Sequence, residues 1–418
     1  MLDGTESLME LLHVNGRSYR RPTRPVVVAC IDGCAPDYLE HGLARGLLPA
    51  LARFRERGFY ATANCVVPSF TNPNNISIVT GAPPAVHGIA GNFFLDPDTG
   101  REVMMNDPRF LRADTVLAAF SQAGLKVGIV TAKDKLRRLL GHGTRDAICF
   151  SAEKADQATV AEHGIAGVPE WLGRETPDVY SAALSEFVMA AGVKLLEEAR
   201  VDLLYLSTTD YIQHKHAPGD EAADIHYQAL DQAWGRLDQL GAVVALTADH
   251  GMNHKNTPEG RPNVIFLTPL MEEWLGPGKA RVILPITDPY VVHHGALGSF
   301  ATIYLEGDAD AEAVAGRLAK LEGVEYVGTR AQAAGRFELP PERLGDLVVV
   351  SGRHTVLGKA PGEHDMSLLE GGLRSHGGLA EQEVPFVLNA PLNEAYRARA
   401  ERGLRNFDLF DFALNGVN

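Results

Sequence analysis

Short, unbroken apolar runs alternate along this chain with longer amphipathic stretches. Val26–Ile31 (VVVACI) offers no polar position to turn towards water, and its β-branched residues suit an extended backbone. That pattern predicts a strand buried on both faces. Gly124–Thr131 (GLKVGIVT), Val201–Ser207 (VDLLYLS) and Gly241–Thr247 (GAVVALT) repeat the type. Each is preceded by a stretch that reads as an amphipathic helix: Thr115–Gln122, Val179–Ala199 and Ile225–Leu237. Strands alternating with helices predict an α/β fold, a mainly parallel sheet held between helices.

The pattern changes between about residues 255 and 370. Ala301–Leu305 (ATIYL), a helical Asp310–Leu321, Val324–Val327 and Leu347–Ser351 suggest a small α+β unit. The core pattern resumes near Ser375, with Pro385–Leu388 as a last strand. The expected organisation is a catalytic core, 22–254 and 371–418, interrupted by an inserted α+β cap, 255–370. No internal repeat and no low-complexity segment is visible.

Composition narrows the class of function. With 45% hydrophobic and 22% charged residues, a chain of 418 residues can bury a large core. The net charge of −14 argues against a nucleic-acid partner, because polyphosphate would be repelled. A small anionic substrate then needs local positive charge to hold it. The first residues show no apolar signal core, and no run of about 18 apolar residues occurs, so a cytoplasmic protein without a membrane partner is expected. Cys30, Cys34, Cys65 and Cys149 follow no disulfide or zinc-ribbon spacing and are expected to be buried, reduced thiols.

Candidate chemistry collects at the ends of the predicted strands. Asp32 follows VVVACI, and Asp210 follows VDLLYLS with His214 four residues on. Asp249 and His250 follow GAVVALT, and His376 lies in Ser375-His376-Gly377-Gly378 before the last strand. In open α/β sheets this edge is where ligands bind. Taken singly, an aspartate here serves equally as a helix cap, and Asp210 with His214 as a solvated turn. Together, three carboxylates and three imidazoles are the donor inventory of a two-zinc site. Thr71, in Pro68-Ser69-Phe70-Thr71-Asn72-Pro73-Asn74-Asn75, is expected just before a short helix from about Asn75 to Thr80, ended by Gly81. A helix N-terminus favours an alkoxide or a phosphate oxygen, and a coordinated metal would lower the hydroxyl pKa. A plain N-cap is the alternative reading of Thr71. His216, His293, His294, His354 and His364 are not counted among the ligands.

These residues resemble the alkaline phosphatase superfamily, and more nearly its nucleotide pyrophosphatase/phosphodiesterase branch, which Thr71 followed by His87-Gly88-Ile89-Ala90-Gly91-Asn92 fits. Thr131-Ala132-Lys133-Asp134-Lys135 and Leu373-Arg374-Ser375-His376-Gly377-Gly378-Leu379 look closer still to the phosphonoacetate hydrolases. The resemblance runs from about residue 24 to 395. It implies two Zn2+ per chain, one held by Asp210, His214 and His376, the other by Asp32, Asp249 and His250 with Thr71 completing it. It implies Thr71 as nucleophile, Asn92 as donor to a phosphonate oxygen, His214 also beside the substrate, and Lys133 and Lys135 on the substrate carboxylate. The implied reaction is hydrolysis of the P–C bond of phosphonoacetate to acetate and phosphate through a phosphothreonine. A homodimer is left open.

A charge count agrees with that substrate. Three aspartates and two Zn2+ leave about +1, and two lysines raise this to about +3, matching a fully ionised phosphonoacetate. For the lysine pair, a solvated basic patch is the alternative, since Arg137 and Arg138 follow. Two other functions stay open: a nucleotide pyrophosphatase/phosphodiesterase with the same metals, and a non-catalytic zinc-binding protein. A sulfatase is not expected, since the Thr71 segment lacks Cys-x-Pro-x-Arg.

Overall fold

The apolar runs become the centre of a seven-stranded sheet. The computed structural model describes residues 11–287, 295–367, 369 and 372–417. Its strands are β1 (Val26–Cys30), β2 (Phe59–Asn64), β3 (Val127–Thr131), β4 (Ile148–Ser151), β5 (Leu203–Ser207) and β6 (Val243–Thr247). A second sheet of four antiparallel strands follows: β7 (Ala280–Ile283), β8 (Phe300–Leu305), β9 (Val324–Thr329) and β10 (Leu347–Ser351), in the order β7-β8-β10-β9. The chain then returns to the first sheet as β11 (Glu383–Leu388), giving the order β2-β11-β6-β1-β5-β3-β4.

Every residue of β1, β3, β5 and β6 is buried, which is why these strands read as continuous apolar runs. Side chains of β5 alternate between two packed faces. Leu204 and Leu206 lie against Gly192 of the helix Ala183–Glu197, while Tyr205 between them stacks on Phe410, 6.1 Å away. Both faces are therefore covered, and burying each such Leu or Val stabilises the fold by roughly 1.5–3 kcal/mol. The two strands of this sheet that the sequence pattern does not reveal, β2 and β4, are its edges. Phe59–Asn64 is half-buried and lacks an apolar run, and Ile148–Ser151 is only four residues long.

Register sets up the chemistry. Thr247 pairs with Cys30, Cys30 with Ser207, Ser207 with Thr131, and Thr131 with Ser151. Five parallel strands thus end on one line, and Asp249, Asp32, Asp210 and Lys133 follow those ends by two or three residues. Only β11 runs against its neighbours. Its beginning, not its end, therefore lies at that edge, so His376 reaches it from before the strand. β2, antiparallel to β11, ends there too and leads to Thr71.

One helix differs from expectation. It spans Thr71–Thr80, so Thr71 is its first residue and not a residue ahead of it. Pro73 is compatible with this start because the first turn has no carbonyl partners for its N–H groups. Gly81, in the left-handed region at φ 63°, closes the helix as expected. Other boundaries move by a few residues: the helix expected from Ile225 begins at Glu221, and the last strand begins at Glu383. The expected core–cap junction at 370/371 falls on residues outside those described. All four cysteines are buried and free. Among the described residues, no helix is long and apolar enough to cross a membrane.

His226, buried in the helix Glu221–Gln239, has no hydrogen-bond partner at either ring nitrogen. Burial lowers its pKa from 6.5 to about 4. The folded protein thus holds it neutral while the unfolded chain protonates it below pH 6.5, so stability falls as pH drops towards 4. By pH 5 this group alone is expected to remove about 2 kcal/mol. His226→Leu should flatten that loss in urea unfolding at pH 7.5 and pH 5. An unchanged pH slope would contradict the assignment.

Candidate metal centre

The strand ends bring six buried donors together. His214 Nε2 lies 2.9 Å from Asp210 Oδ2, and His376 Nε2 lies 3.8 Å from the same oxygen. His250 Nε2 lies 3.2 Å from Asp32 Oδ1 and 3.8 Å from Asp249 Oδ2. The His250 and His376 rings stack, with centroids 3.5 Å apart and planes 7° from parallel. Donor atoms of Asp210, His214 and His376 fall within 4.8 Å of one another, as do those of Asp32, Asp210 and His250. Asp210 thus belongs to both groups, and Asp249 stands beside the second. Gly33 permits the crowding: its φ is +71°, and a Cβ there would sit 3.0 Å from the Asp210 Cβ.

Each imidazole is turned by a backbone carbonyl. Nδ1 of His214 donates to Arg374 O (2.8 Å), Nδ1 of His250 to Gly251 O (2.9 Å), and Nδ1 of His376 to Ser69 O (2.7 Å). With the proton on Nδ1, each Nε2 presents a lone pair to the cluster, as metal-ligating histidines do. Arg374, which carries one of those carbonyls, is itself buried and donates to Gln213 O and Tyr38 Oη.

Without a cation the cluster is electrostatically unfavourable. Burial and the neighbouring Asp32 push Asp249 well above the usual carboxylate range. Burial lowers His250, but Asp249 and Asp32 outweigh it and hold the imidazole up at about 10. Burial, with His250 and His214 alongside, holds His376 far below its ordinary value. Asp32 Oδ1 and His250 Nε2 are both buried and face each other at 3.2 Å without an aligned hydrogen bond to any group. Orphaned donor atoms, fixed tautomers and excess buried carboxylate together fit divalent cations held by oxygen and nitrogen ligands.

Thr71 reaches this edge by the chain that follows β2. The amide N–H of Asn72, next to it, donates to Asn92 Oδ1 at 2.9 Å. Because a backbone N–H can only donate, the Asn92 amide is oriented with its NH2 end left to donate elsewhere. Asn92 and Phe93 also donate their backbone N–H groups to Pro285 O. The preceding Ser69 binds the His376 loop: its N–H donates to Gly377 O, its hydroxyl donates to Gly378 O, and that hydroxyl accepts from Gly377 N–H. Gly377 cannot carry a side chain, since its φ is +118° and a Cβ would stand 2.4 Å from the Phe70 ring.

Three residues that sequence reasoning did not single out complete the surroundings. They are Ser69, Arg374 and Asn75. Asn75 donates to Asp249 Oδ2 (3.3 Å) and Thr71 O (3.0 Å), and accepts from Tyr205 Oη (2.8 Å) and Ser207 Oγ (3.0 Å). It fixes one carboxylate and the helix that starts at Thr71 at once. Nothing in the run Asn72-Pro73-Asn74-Asn75 distinguishes it by sequence.

Lys133 and Lys135 flank the start of the helix Asp134–Leu140. Lys133 Nζ lies 3.6 Å from Asp210 Oδ1, while His214 approaches the other oxygen of that carboxylate. Burial and the neighbouring Lys133 lower Lys135 to about 7, against the pull of Asp210, Asp32 and Glu153. Both lysines line a cavity of about 250 Å³ with Asn106, Arg138, Glu153 and Val179. A larger hollow of about 520 Å³, around Gly141, Thr144 and Gly164, includes none of the candidate ligands.

Three of the histidines not counted among the ligands, His216, His354 and His364, have other partners. His364 donates or accepts at both ring nitrogens, through Gly295 O and Lys359 N–H. His354 Nδ1 contacts His254 O. His216 Nδ1 lies 3.9 Å from Asp220, towards the surface. His293 and His294 lie outside the described residues.

Residues 26–378 match the family of type I phosphodiesterases / nucleotide pyrophosphatases. The chain is similar to the crystal structure of phosphonoacetate hydrolase from Sinorhizobium meliloti 1021, solved with phosphonoacetate and with phosphonoformate. Identity is 55%, the TM-score is 0.93, and the match covers 98% of this chain and 99% of that one. Murine ectonucleotide pyrophosphatase / phosphodiesterase 5 shares the fold at 17% identity and TM-score 0.63, over 93% of this chain and 94% of that one. An uncharacterized pyrophosphatase/phosphodiesterase of Schizosaccharomyces pombe is 40% identical over 86 residues, which are 20% of this chain and 16% of that protein.

Proposed function

This chain belongs to the type I phosphodiesterase / nucleotide pyrophosphatase family, and we propose that within it the chain hydrolyses the C–P bond of phosphonoacetate to acetate and phosphate. The observation that carries the reading is Lys133, which lines the cavity of about 250 Å³ with Lys135 and sets its Nζ 3.6 Å from an oxygen of Asp210, a member of both donor groups. A phosphorus centre and a carboxylate could thus be held side by side. The similarity to the Sinorhizobium meliloti enzyme over nearly the whole chain supports the same substrate.

The cations proposed are two Zn2+, one with Asp210, His214 and His376, the other with Asp32, Asp249, His250 and Thr71. When bound, they would lower the pKa of the Thr71 hydroxyl and offset the charge on the phosphonate oxygens. Thr71 Oγ gives up its proton to solvent water and attacks phosphorus as the P–C bond breaks. The electron pair passes to carbon and delocalises into the carboxylate, where Lys133 and Lys135 stabilise charge that develops mainly in the transition state. Water protonates the carbon to give acetate. Asn92, oriented by Asn72 N–H, donates to a phosphonate oxygen. A second water cleaves the phosphothreonine, releasing phosphate and restoring the Thr71 hydroxyl. We read 255–370 as a cap inserted over this centre, joined to it through Pro285 and Ser299.

Zn2+-loaded protein is expected to release acetate and phosphate in equal amounts from phosphonoacetate. Phosphate release no faster than the enzyme-free blank would end this reading. Nucleotide pyrophosphatase/phosphodiesterase activity is the second reading. It is favoured by the Tyr180 and Tyr211 rings, 6.4 Å apart beside Asp210, with Tyr180 exposed. A nucleotide ester assayed alongside tests it.

A further inference from the structure

Two of the ligand loops meet on an ion pair that no proposed step uses. Lys255 and Glu381 are both fully buried, and Lys255 Nζ lies 2.9 Å from Glu381 Oε1. Removing two such charges from water is expensive, so a buried pair is weak evidence for stability and points to a demand for geometry. The Glu381 carboxylate spends its acceptors on the loops that carry the histidines. Oε1 accepts from Lys255 and from Asn253 Nδ2 at 2.6 Å, three residues beyond His250. Oε2 accepts from the Gly378 N–H at 3.1 Å, two residues beyond His376. The Glu381 carbonyl accepts from Gly251 N–H at 2.7 Å, next to His250.

Lys255 extends the connection to the second sheet. Its ammonium donates to Ser299 Oγ at 2.8 Å, and the Ser299 N–H donates to His376 O at 2.9 Å. Ser299 O in turn accepts from Ser351 N–H at the end of β10. One carboxylate and one ammonium therefore tie together the His250 loop, the His376 loop and the sheet packed beside them. The His250–His376 ring stack lies between the loops this pair joins.

We propose that Glu381, with Lys255 as its counter-ion, is a positioning residue that sets the spacing of the His250 and His376 loops and thereby the affinity of the centre for divalent cations. This rests on the reading of His250 and His376 as ligands, not on the identity of the substrate. Glu381→Gln is the selective probe. It keeps an acceptor for Lys255 and Asn253 but sets an NH2 group against the Gly378 N–H. The double variant Lys255→Met/Glu381→Leu removes both charges together and decides the question if Glu381→Gln does not fold.

The test measures Zn2+ affinity by competition with a chromophoric chelator, the visible spectrum of the Co2+ form, and the Tm of metal-free protein. Outer-shell changes of this kind lower metal affinity about 10–100-fold. A loss in that range is expected, with an altered Co2+ spectrum; the metal-free Tm should fall for Glu381→Gln, which leaves Lys255 buried without a counter-ion, and change little for the double variant. Wild-type Zn2+ affinity and Co2+ spectrum in a folded variant would overturn the proposal, leaving the pair a stability feature alone. A wild-type protein that took up no Zn2+ would overturn the metal reading itself, and this inference with it.

Discussion

Alanine at Thr71 is expected to abolish phosphate release from phosphonoacetate, by about three orders of magnitude or more, the scale on which loss of a nucleophile is felt. Zn2+ content should be retained, because the three imidazoles and Asp249 are fixed by contacts that do not involve the Thr71 side chain. The backbone should survive as well. Thr71 is the first residue of its helix, and the segment is held by Ser69 and by the Asn72–Asn92 hydrogen bond. Alanine is also a good helix former. Phosphate release and metal content must be measured on the same preparation. Near wild-type turnover with full metal occupancy would remove Thr71 as the nucleophile.

The second large effect is expected from Lys133→Ala/Lys135→Ala. One donor aimed at developing charge contributes about 10²–10³-fold to turnover, so loss of the pair should lower kcat/KM for phosphonoacetate by about 10³-fold or more. An aryl phosphodiester brings no carboxylate to this cavity, and its turnover should change far less. Because Lys133 lies 3.6 Å from Asp210, Zn2+ content is the necessary control. Equal losses on both substrates with full metal occupancy would sever the lysines from carboxylate recognition. Unchanged phosphonoacetate turnover would sink the substrate assignment as well.

Much of the site was legible because the sheet's chemistry is local. A buried parallel strand must be apolar throughout, and the loop after it is free to carry charge, so Asp32, Asp210 and Asp249 are marked by the runs before them. His376 was legible only as a residue ahead of a strand. The reversed direction of β11, which brings it to the same edge, belongs to long-range pairing that periodicity does not encode. The start of the Thr71 helix was obscured by the asparagines of its first turn, whose side chains bind backbone groups of Val66, Phe70 and Met105. The supporting contacts were out of reach for the same reason. Ser69 and Gly377 meet across 308 positions of sequence, and Glu381 and Lys255 across 126. Their residue types are ordinary, and only the fold gives them partners.

The two-stranded pairing of Asn253 and His254 with Ser375 and Arg374 has an evolutionary consequence. It fastens the point where the chain leaves the first sheet to the point where it comes back, directly beside His250 and His376. Whatever is spliced between those points hangs from a closed base. Lengthening it adds closure entropy only logarithmically, about 0.6 kcal/mol for each doubling. The aspartates and histidines at this edge can therefore stay still while the intervening segment drifts, grows or is exchanged. Lineages sharing this base could keep one reaction centre and acquire new substrates by altering what lies above it.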